Sequence, residues 1–177
     1  MPFSRGKPAV FLDRDGVLNV DTHYPHRPED LIMMGGAAEA LAFLKSCGYL
    51  LIVVSNQSGV ARGLFSEGQV RDFNALLQAR LAEKGGAVDG FYYCPYHPQA
   101  VIERYRCDHP DRKPRPGMIL KAIEAYGIDP ACSFLIGDRE TDMEAAQAAS
   151  IEGYMFHSDN LDLFVRQLVK KRHEKGA

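Results

Sequence analysis

The sequence predicts an α/β fold in which a parallel central sheet is covered by helices on both faces, a three-layer sandwich. Short apolar runs rich in β-branched residues alternate with segments of helical periodicity, and hairpin signals are few. Strands that are buried on both faces carry such continuous apolar runs, because helices pack on each side of the sheet. A chain of 177 residues is long enough to bury one hydrophobic core. We therefore predict a single domain over residues 1–177.

Five strands and five helices are predicted in alternation. The strands are AVFL (9–12), LLIVVS (50–55), VDGFYY (88–93), SFLIG (133–137) and EGYMF (152–156). The first helix lies in GAAEALAFLKSCG and ends at Gly48, and the second, about 67–83, begins at a capping box of Ser66 and Gln69. The third covers 117–126 and ends at Gly127, a short one follows the fourth strand, and the last spans about 161–171.

Composition excludes several classes of protein. The net charge of -2 gives no basic excess for nucleic-acid binding, and no apolar run is long enough to span a bilayer. Charged residues interrupt the first segment, MPFSRGKPAVFLD, so we expect no signal peptide. Four cysteines are too few and too unevenly placed for a secreted disulfide framework. We expect a cytoplasmic monomer that binds neither nucleic acid nor membrane.

Polar residues follow the predicted strands where each strand ends. Asp13 and Asp15 follow the first strand, Ser55 to Gln57 follow the second, and Asp138 and Asp142 follow the fourth. Lys113 lies in the loop that leads to the helix before the fourth strand. Ligands of parallel sheets bind at the carboxyl ends of the strands, so these groups are expected to converge on one rim.

Such a set of side chains suits phosphoryl transfer. Three carboxylates in one cleft repel one another unless a cation neutralises them, and Mg²⁺ prefers oxygen ligands. One carboxylate can attack phosphorus to form an aspartyl-phosphate, and the other can protonate the leaving alkoxide and then activate water. Ser55 and Lys113 would hold the phosphoryl oxygens. The alternatives are a structural acidic turn with a helix N-cap, and a non-enzymatic phospho-receiver module, whose acidic pair is typically adjacent.

Four segments resemble the successive motifs of the haloacid dehalogenase (HAD) superfamily of phosphatases: FLDRDGVLN, VVSNQSG, RKPRPGM and LIGDRETDM. DRDGVLNVDTHYPHRPEDL, SNQSGVARGLFSE and the loop CPYHP…RKPRPGM further resemble the D-glycero-D-manno-heptose 1,7-bisphosphate phosphatase subfamily, which is close to histidinol-phosphate phosphatases. The resemblance implies a Rossmann-like HAD fold without a large cap domain. It also implies Mg²⁺-dependent hydrolysis of the C7 phosphate of a heptose bisphosphate, in heptose and lipopolysaccharide biosynthesis. Histidinol phosphate or another small sugar phosphate is the alternative substrate.

The resemblance also implies residue roles. Asp13 is the expected nucleophile and Asp15 the general acid and base, while Ser55 and Lys113 stabilise the transferring phosphoryl group. Mg²⁺ would be held by the Asp13 carboxylate, the Asp15 carbonyl and the Asp138 carboxylate. The expected substrate contacts are Arg14, Asp21, Thr22, His23, Tyr24, Asn56, Gln57, Ser58, Arg62 and Arg112.

The loop 94–114 carries residues that could bind a structural zinc ion: Cys94, His97, Cys107 and His109. Relatives typically carry C-x-H followed by C-x-C before the RKP triplet, whereas here Tyr96 stands at the histidine position. Either the ligand set is shifted, or the loop is metal-free and held by prolines and hydrogen bonds. Cys47 and Cys132 are interpreted as core thiols.

Overall fold

A computed structural model describes residues 6–176, and its centre is a sheet of five parallel strands in the order β3-β2-β1-β4-β5. The strands are β1 (Ala9–Leu12), β2 (Leu50–Asn56), β3 (Gly90–Cys94), β4 (Phe134–Gly137) and β5 (Glu152–Met155). The predicted parallel sheet is confirmed. The central strand β1 is buried along its whole length, as its uninterrupted apolar sequence predicts.

Five α-helices cover the two faces of the sheet. They are α1 (Ala37–Ser46), α2 (Glu67–Ala82), α3 (Gly117–Tyr126), α4 (Glu140–Ala148) and α5 (Leu161–Gly176). Side chains of α1, α2 and α5 form one core with Val10 and Leu12, whereas α3 and α4 form a second core with Ala9 and Phe11. Alternate residues of β1 therefore point to opposite layers, which gives the predicted three-layer sandwich.

Helix ends follow the predicted signals. The Ser66 hydroxyl accepts a hydrogen bond from the Gln69 N–H, and the Gln69 side chain accepts one from the Ser66 N–H, which confirms the capping box. Gly48 and Gly127 follow the ends of α1 and α3 with φ angles of 86° and 62°. These left-handed conformations favour glycine, so the sequence identified both helix ends correctly.

Two boundaries differ from the prediction by more than one residue. The last helix continues to Gly176 instead of ending near residue 171, because its basic residues are good helix formers and Arg172 packs over the Phe134 ring at 4.6 Å. β3 begins at Gly90 instead of residue 88. Side chains satisfy the backbone before it: Gln78 bonds both the N–H and the carbonyl of Val88.

The topology creates one switch point. From β1 the chain proceeds to β2 and β3 on one side, then crosses back to β4 and β5 on the other side. The loops that leave β1 and β4 therefore diverge and open a crevice at the carboxyl ends of these strands, where ligands of such sheets bind. Within residues 6–176, no connection builds a large cap over this crevice, and no helix is long and apolar enough to cross a membrane.

Candidate active site

The candidate active site lies at this switch point. Asp13 follows β1 directly, and its N–H donates to the Ile136 carbonyl of β4 at 3.0 Å. A cleft of about 440 Å³ opens beside it. Most of the residues singled out from the sequence line this cleft: Asp13, Asp15, Asp21, His23, Tyr24, Ser55, Asn56, Gln57, Ser58, Arg112 and Lys113. The sequence analysis missed the contribution of Arg139, Glu140 and Thr141, which line the cleft from the start of α4.

Three carboxylates meet at the base of the cleft. Oxygen atoms of Asp13, Asp138 and Asp142 lie within 4.8 Å of one another. The Oδ1 atom of Asp138 is buried and has no hydrogen-bond partner among the described residues. Gly16 makes this approach sterically feasible, because a Cβ atom at that position would lie 2.1 Å from Asp138 Oδ2. The cluster is therefore compact, negatively charged and incompletely satisfied by protein groups.

Lys113 ties two of these carboxylates together. Its ammonium group donates to Asp13 Oδ1 at 3.0 Å, to Asp142 Oδ1 at 2.5 Å and to the Val54 carbonyl at 2.8 Å. Lys113 is only 3% exposed and Asp142 is fully buried. Each buried charge is therefore stabilised by the opposite charge of its partner. The sequence placed Asp142 near the site, but it gave no indication that Asp142 binds this lysine.

Burial shifts the proton affinities of the cluster. It raises the pKa of Asp13 to about 8, and the charges of Asp142 and Asp15 add to this effect while Lys113 opposes it. Burial, together with Asp142, also raises the pKa of Asp138. Burial disfavours the charged form of Lys113, but Asp13 and Asp142 outweigh it and raise the pKa of the amine. Without a cation, Asp13 and Asp138 therefore hold their protons more tightly than ordinary carboxyl groups do.

These observations fit a divalent cation held by oxygen atoms. The unpartnered oxygen of Asp138 and the raised pKa values of Asp13 and Asp138 are the features that a bound cation would remove. The donors are hard carboxylate oxygens, which suit Mg²⁺ better than a softer metal. Asp138, with its unpartnered oxygen, and Asp13 could hold it, and Asp13 would then share its carboxylate between the cation and Lys113.

Asp15 is held by side chains on both of its oxygen atoms. Oδ1 accepts from Arg14 Nε at 2.9 Å and from Asn19 Nδ2 at 3.0 Å. Oδ2 accepts from Arg14 Nη2 at 3.1 Å and from Gln57 Nε2 at 3.0 Å. A second carboxylate therefore lines the cleft beside Asp13 in an orientation fixed by three side chains.

Three predicted substrate contacts have another role in the structure. Arg14 is only 1% exposed, does not line the cleft and donates to Asp15, so the structure gives no support to the prediction that it binds substrate. The Asn56 amide donates to the Lys113 carbonyl and accepts from the Lys113 N–H, both at 3.0 Å. Gln57 is buried and donates to Ser55 Oγ at 2.8 Å as well as to Asp15. Asn56 and Gln57 thus hold the catalytic candidates in place, although both also line the cleft.

The outer wall is formed by the loop 21–26 and by Arg112. His23 and Tyr24 line the cleft and have φ angles of 62° and 60°, which are uncommon for non-glycine residues and often occur at functional sites. Thr22 and Arg62 were predicted to contact substrate as well, but both are exposed and neither lines the cleft. Sequence proximity alone could not distinguish them from their neighbours.

The predicted zinc ligands do not form a ligand set. Within the part of the chain that the structure describes, the only cluster of three or more His, Cys, Asp or Glu side chains at metal-ligand spacing is the one at Asp13. Cys94 is buried, and burial raises the pKa of its thiol to about 11, which disfavours the thiolate that binds zinc. Cys107 is exposed. The structure therefore gives the zinc prediction no support.

Other contacts order the loop 94–114 instead. The ring of His109 stacks on Tyr96 with centroids 4.3 Å apart, and the Nδ1 atom of His97 accepts from the Gln99 N–H at 3.0 Å. The Tyr105 hydroxyl donates to Glu67 at 2.8 Å, which joins the loop to α2. Ring packing and hydrogen bonds thus occupy groups that a metal would need. Cys47 and Cys132 are exposed, so their assignment to the core is also wrong.

The parallel sheet, the D-x-D segment at its switch point and the buried lysine–aspartate pair define a class of protein, the HAD-type hydrolases that transfer phosphoryl groups. The model of the HAD-hydrolase-like family matches residues 111–162. Among curated proteins, the D-glycero-beta-D-manno-heptose-1,7-bisphosphate 7-phosphatase of Rhodopseudomonas palustris is 43% identical over 92% of this chain and 91% of its own. The enzyme of that name from Escherichia coli K12 is 44% identical over 84% of this chain and 78% of its own.

Solved structures of similar fold include phosphatases of the same class. A putative HAD-like phosphatase from Mesorhizobium loti superposes with a TM-score of 0.81 at 38% identity, covering 86% of this chain and 74% of that one. The D,D-heptose 1,7-bisphosphate phosphatase from B. bronchiseptica, complexed with magnesium and phosphate, gives a TM-score of 0.80 at 27% identity over 93% and 99% of the two chains. The chain belongs to the HAD-type family that the heptose-bisphosphate 7-phosphatases form.

Proposed function

We propose that this protein is a Mg²⁺-dependent phosphatase that removes the C7 phosphate of D-glycero-β-D-manno-heptose 1,7-bisphosphate. The observation that carries the chemistry is the pairing of Asp13 and Asp15 beside a buried Lys113 that binds Asp13 and Asp142. The observation that supports the substrate is the 43% identity to a curated 7-phosphatase over 92% of the chain. We extend the proposal to residues 1–177 as one catalytic domain, of which 1–5 and 177 lie outside the described residues.

The proposed reaction has two steps. An oxygen atom of Asp13 attacks phosphorus, the bond to the sugar oxygen breaks, and Asp15 gives its proton to that oxygen. The Asp15 carboxylate then takes a proton from water, which attacks phosphorus, releases phosphate and restores Asp13. Bound at Asp13, Asp138 and the carbonyl of Asp15, Mg²⁺ would supply charge neutralisation for the phosphoryl oxygens. Lys113 and Ser55 hold these oxygens as negative charge develops on them.

The cleft offers a place for the phosphate that is not cleaved. Arg112 lines the wall, and its guanidinium donates one hydrogen bond, to the Tyr96 carbonyl at 3.4 Å. None of the ion pairs within residues 6–176 involves Arg112, and burial, with a smaller effect of Arg62, lowers the pKa of its guanidinium. A half-buried cation without a carboxylate partner favours an anionic ligand, so the C1 phosphate would bind here.

The test combines substrates with one matched pair of variants. Phosphate release would be measured with Mg²⁺ for the heptose 1,7-bisphosphate, the heptose 7-phosphate and histidinol phosphate, and phosphorus NMR would identify which ester is cleaved. We expect Arg112→Gln to raise KM for the bisphosphate about tenfold and to change KM for the monophosphate little. Arg115→Gln is the control, because Arg115 is exposed and pairs with Asp108.

A preference for histidinol phosphate by about tenfold or more in kcat/KM would overturn the substrate assignment and leave the phosphatase chemistry intact. Absence of phosphate release from every ester would overturn the phosphatase assignment itself.

The monomeric state and the cytoplasmic location expected from the sequence stay predictions.

A further inference from the structure

Arg14 stands between the two aspartates of the D-x-D segment, yet its side chain is turned away from the cleft. It is only 1% exposed, and among the described residues it is the largest side chain that is fully buried. Burying a guanidinium costs several kcal/mol unless its charge and its donors are paired. The reaction outlined above assigns this side chain no role.

The guanidinium is paired on every side. Nε and Nη2 donate to the two oxygen atoms of Asp15 at 2.9 and 3.1 Å, a bidentate pair. Nη1 donates to Asn74 Oδ1 of α2 at 3.0 Å, and Nη2 also donates to the Pro25 carbonyl at 3.1 Å. The Phe73 ring lies against the group, 4.5 Å from the guanidinium carbon to the ring centroid. Arg14 therefore links Asp15, helix α2 and the loop 21–26.

This arrangement fixes the plane of the Asp15 carboxylate. A planar fork with two parallel hydrogen bonds constrains direction as well as distance, which a single ammonium cannot do. The fork is itself held by Asn74 and Phe73, so protein groups alone set its orientation in this structure. The bond to Pro25 adds a connection to the loop that places His23 and Tyr24 on the cleft wall.

We propose that Arg14 is a positioning residue for proton transfer, which holds Asp15 at the angle needed to protonate the leaving oxygen and couples Asp15 to the loop 21–26. The proposal rests on the proposed function, since it assigns a role within that reaction. Correct placement of a general acid is sensitive to small displacements, because proton transfer needs hydrogen-bond geometry to the leaving oxygen. Asn74 supports the position of Arg14 and has no contact with the reacting atoms.

The two steps of the reaction distinguish a positioning role from general damage. A sugar alkoxide is a poor leaving group and needs the proton of Asp15 as the phosphorus–oxygen bond breaks. The p-nitrophenolate of p-nitrophenyl phosphate leaves as an anion and needs no proton, so phosphorylation of Asp13 by this ester does not use Asp15. Water attack on the aspartyl-phosphate needs Asp15 in both cases. Misplacement of Asp15 should therefore slow cleavage of the sugar ester and hydrolysis of the aspartyl-phosphate. The initial burst of p-nitrophenolate should keep its rate.

The experiment compares Arg14→Lys, Asn74→Ala and Gln78→Ala in the full chain with Mg²⁺. Gln78 lies one turn further along α2 and bonds the Val88 backbone, so its variant measures damage to the helix alone. For Arg14→Lys we expect kcat on the sugar phosphate to fall about tenfold or more with KM changed less than about threefold. The pre-steady-state burst should stay within about threefold of the wild-type rate, and Asn74→Ala should show a smaller effect in the same direction.

An equal loss of burst rate and of sugar-phosphate turnover in Arg14→Lys would overturn the proposal, and so would wild-type turnover of that variant. Should Arg14→Lys not fold, Asn74→Ala decides: a fall in kcat of about threefold or more with an intact burst supports the role, and an unchanged kcat overturns it. The proposed function is tested separately by the wild-type chain. If that chain releases no phosphate from sugar esters, the proposed function has failed, whereas failure of the positioning role appears only in the variants.

Discussion

At the scale of single residues, the two aspartates of the D-x-D segment differ in their surroundings. Asp13 contacts Lys113 and the other acidic groups, and burial raises its pKa to about 8. Asp15 contacts three neutral or cationic donors: Arg14, Asn19 and Gln57. Asp13 thus faces the cation site, where a bound cation would favour its ionised form, whereas Asp15 is oriented by hydrogen bonds.

We expect Asp13→Asn to abolish turnover, because an amide cannot form the acyl phosphate. Asp15→Asn should lower kcat by about 10²–10⁴-fold, since proton transfer to the leaving oxygen is lost, and should accumulate the phospho-enzyme. Phosphate release and mass spectrometry of the intact chain would measure the two effects. Near wild-type turnover of Asp13→Asn would refute the covalent mechanism.

Gly16 is expected to be irreplaceable for two separable reasons. Its φ angle of 89° disfavours other residues, and a Cβ atom would lie 2.1 Å from Asp138 Oδ2. Gly48 has a φ angle of 86°, but a Cβ atom added there would have no neighbour within 4 Å. Gly48→Ala should lower the free energy of unfolding by about 1 kcal/mol without loss of activity. Gly16→Ala should in addition weaken Mg²⁺ binding and lower kcat/KM by about tenfold or more, as measured by titration and steady-state kinetics.

Equal effects of the two substitutions on stability and activity would mean that backbone strain alone makes Gly16 necessary. The comparison is matched because both glycines have nearly the same φ angle and differ in what surrounds them.

At the scale of elements, the loop 94–114 connects β3 to α3 and carries Lys113, the lysine proposed to hold the phosphoryl oxygens. Its contacts are distributed along the segment: the Tyr96–His109 stack, the bond from Tyr105 to Glu67 and the pair formed by Asn56 with the Lys113 backbone. The position of Lys113 thus depends on packing of the whole loop and on one side chain of β2.

We expect this loop to keep its structure without zinc. A zinc-selective chelator, added with Mg²⁺ in excess, should leave activity unchanged, and Cys107→Ser should be neutral because Cys107 is exposed. Tyr96→Ala removes the stacked ring and should lower kcat/KM by about tenfold, since Lys113 loses support. Elemental analysis with about one zinc per chain, together with inactivation by the chelator, would contradict this expectation.

At the scale of the whole molecule, stability and metal binding are linked through the acidic cluster. A carboxylate whose pKa is raised binds its proton more tightly in the folded state than in the unfolded state. The contribution of Asp13 to the free energy of unfolding of the metal-free protein therefore falls as pH rises from the ordinary pKa of Asp, near 3.8, to about 8. A cation that binds the ionised form offsets this loss.

We accordingly expect Mg²⁺ to raise the melting temperature more at about pH 9 than at about pH 6, because protons compete with the ion for Asp13 at the lower pH. Thermal unfolding at both pH values, with and without Mg²⁺, measures the effect. Asp13→Asn should abolish most of the Mg²⁺ effect at either pH. An increase in melting temperature that is the same at both pH values would show that Asp13 does not titrate as proposed.

By itself, the sequence determined the parallel sheet, the caps of α1, α2 and α3, and the convergence of the acidic groups on one rim. These features depend on local periodicity and on the rule that parallel strands end at one edge, so neighbouring residues are enough to predict them. The substrate class came from the resemblance to the HAD phosphatases, and the similarity to the curated relatives agrees with it.

Only the tertiary structure decided where individual side chains point. Arg14 turns inward to meet Asn74, Asn56 binds the backbone of Lys113, and Asp142 pairs with that lysine, each across many residues of sequence. The supposed zinc ligands belong to one loop, but their side chains lie in different surroundings. A side chain adopts the direction that satisfies its charge and hydrogen bonds in the packed structure, and those partners come from distant segments that the local pattern does not reveal.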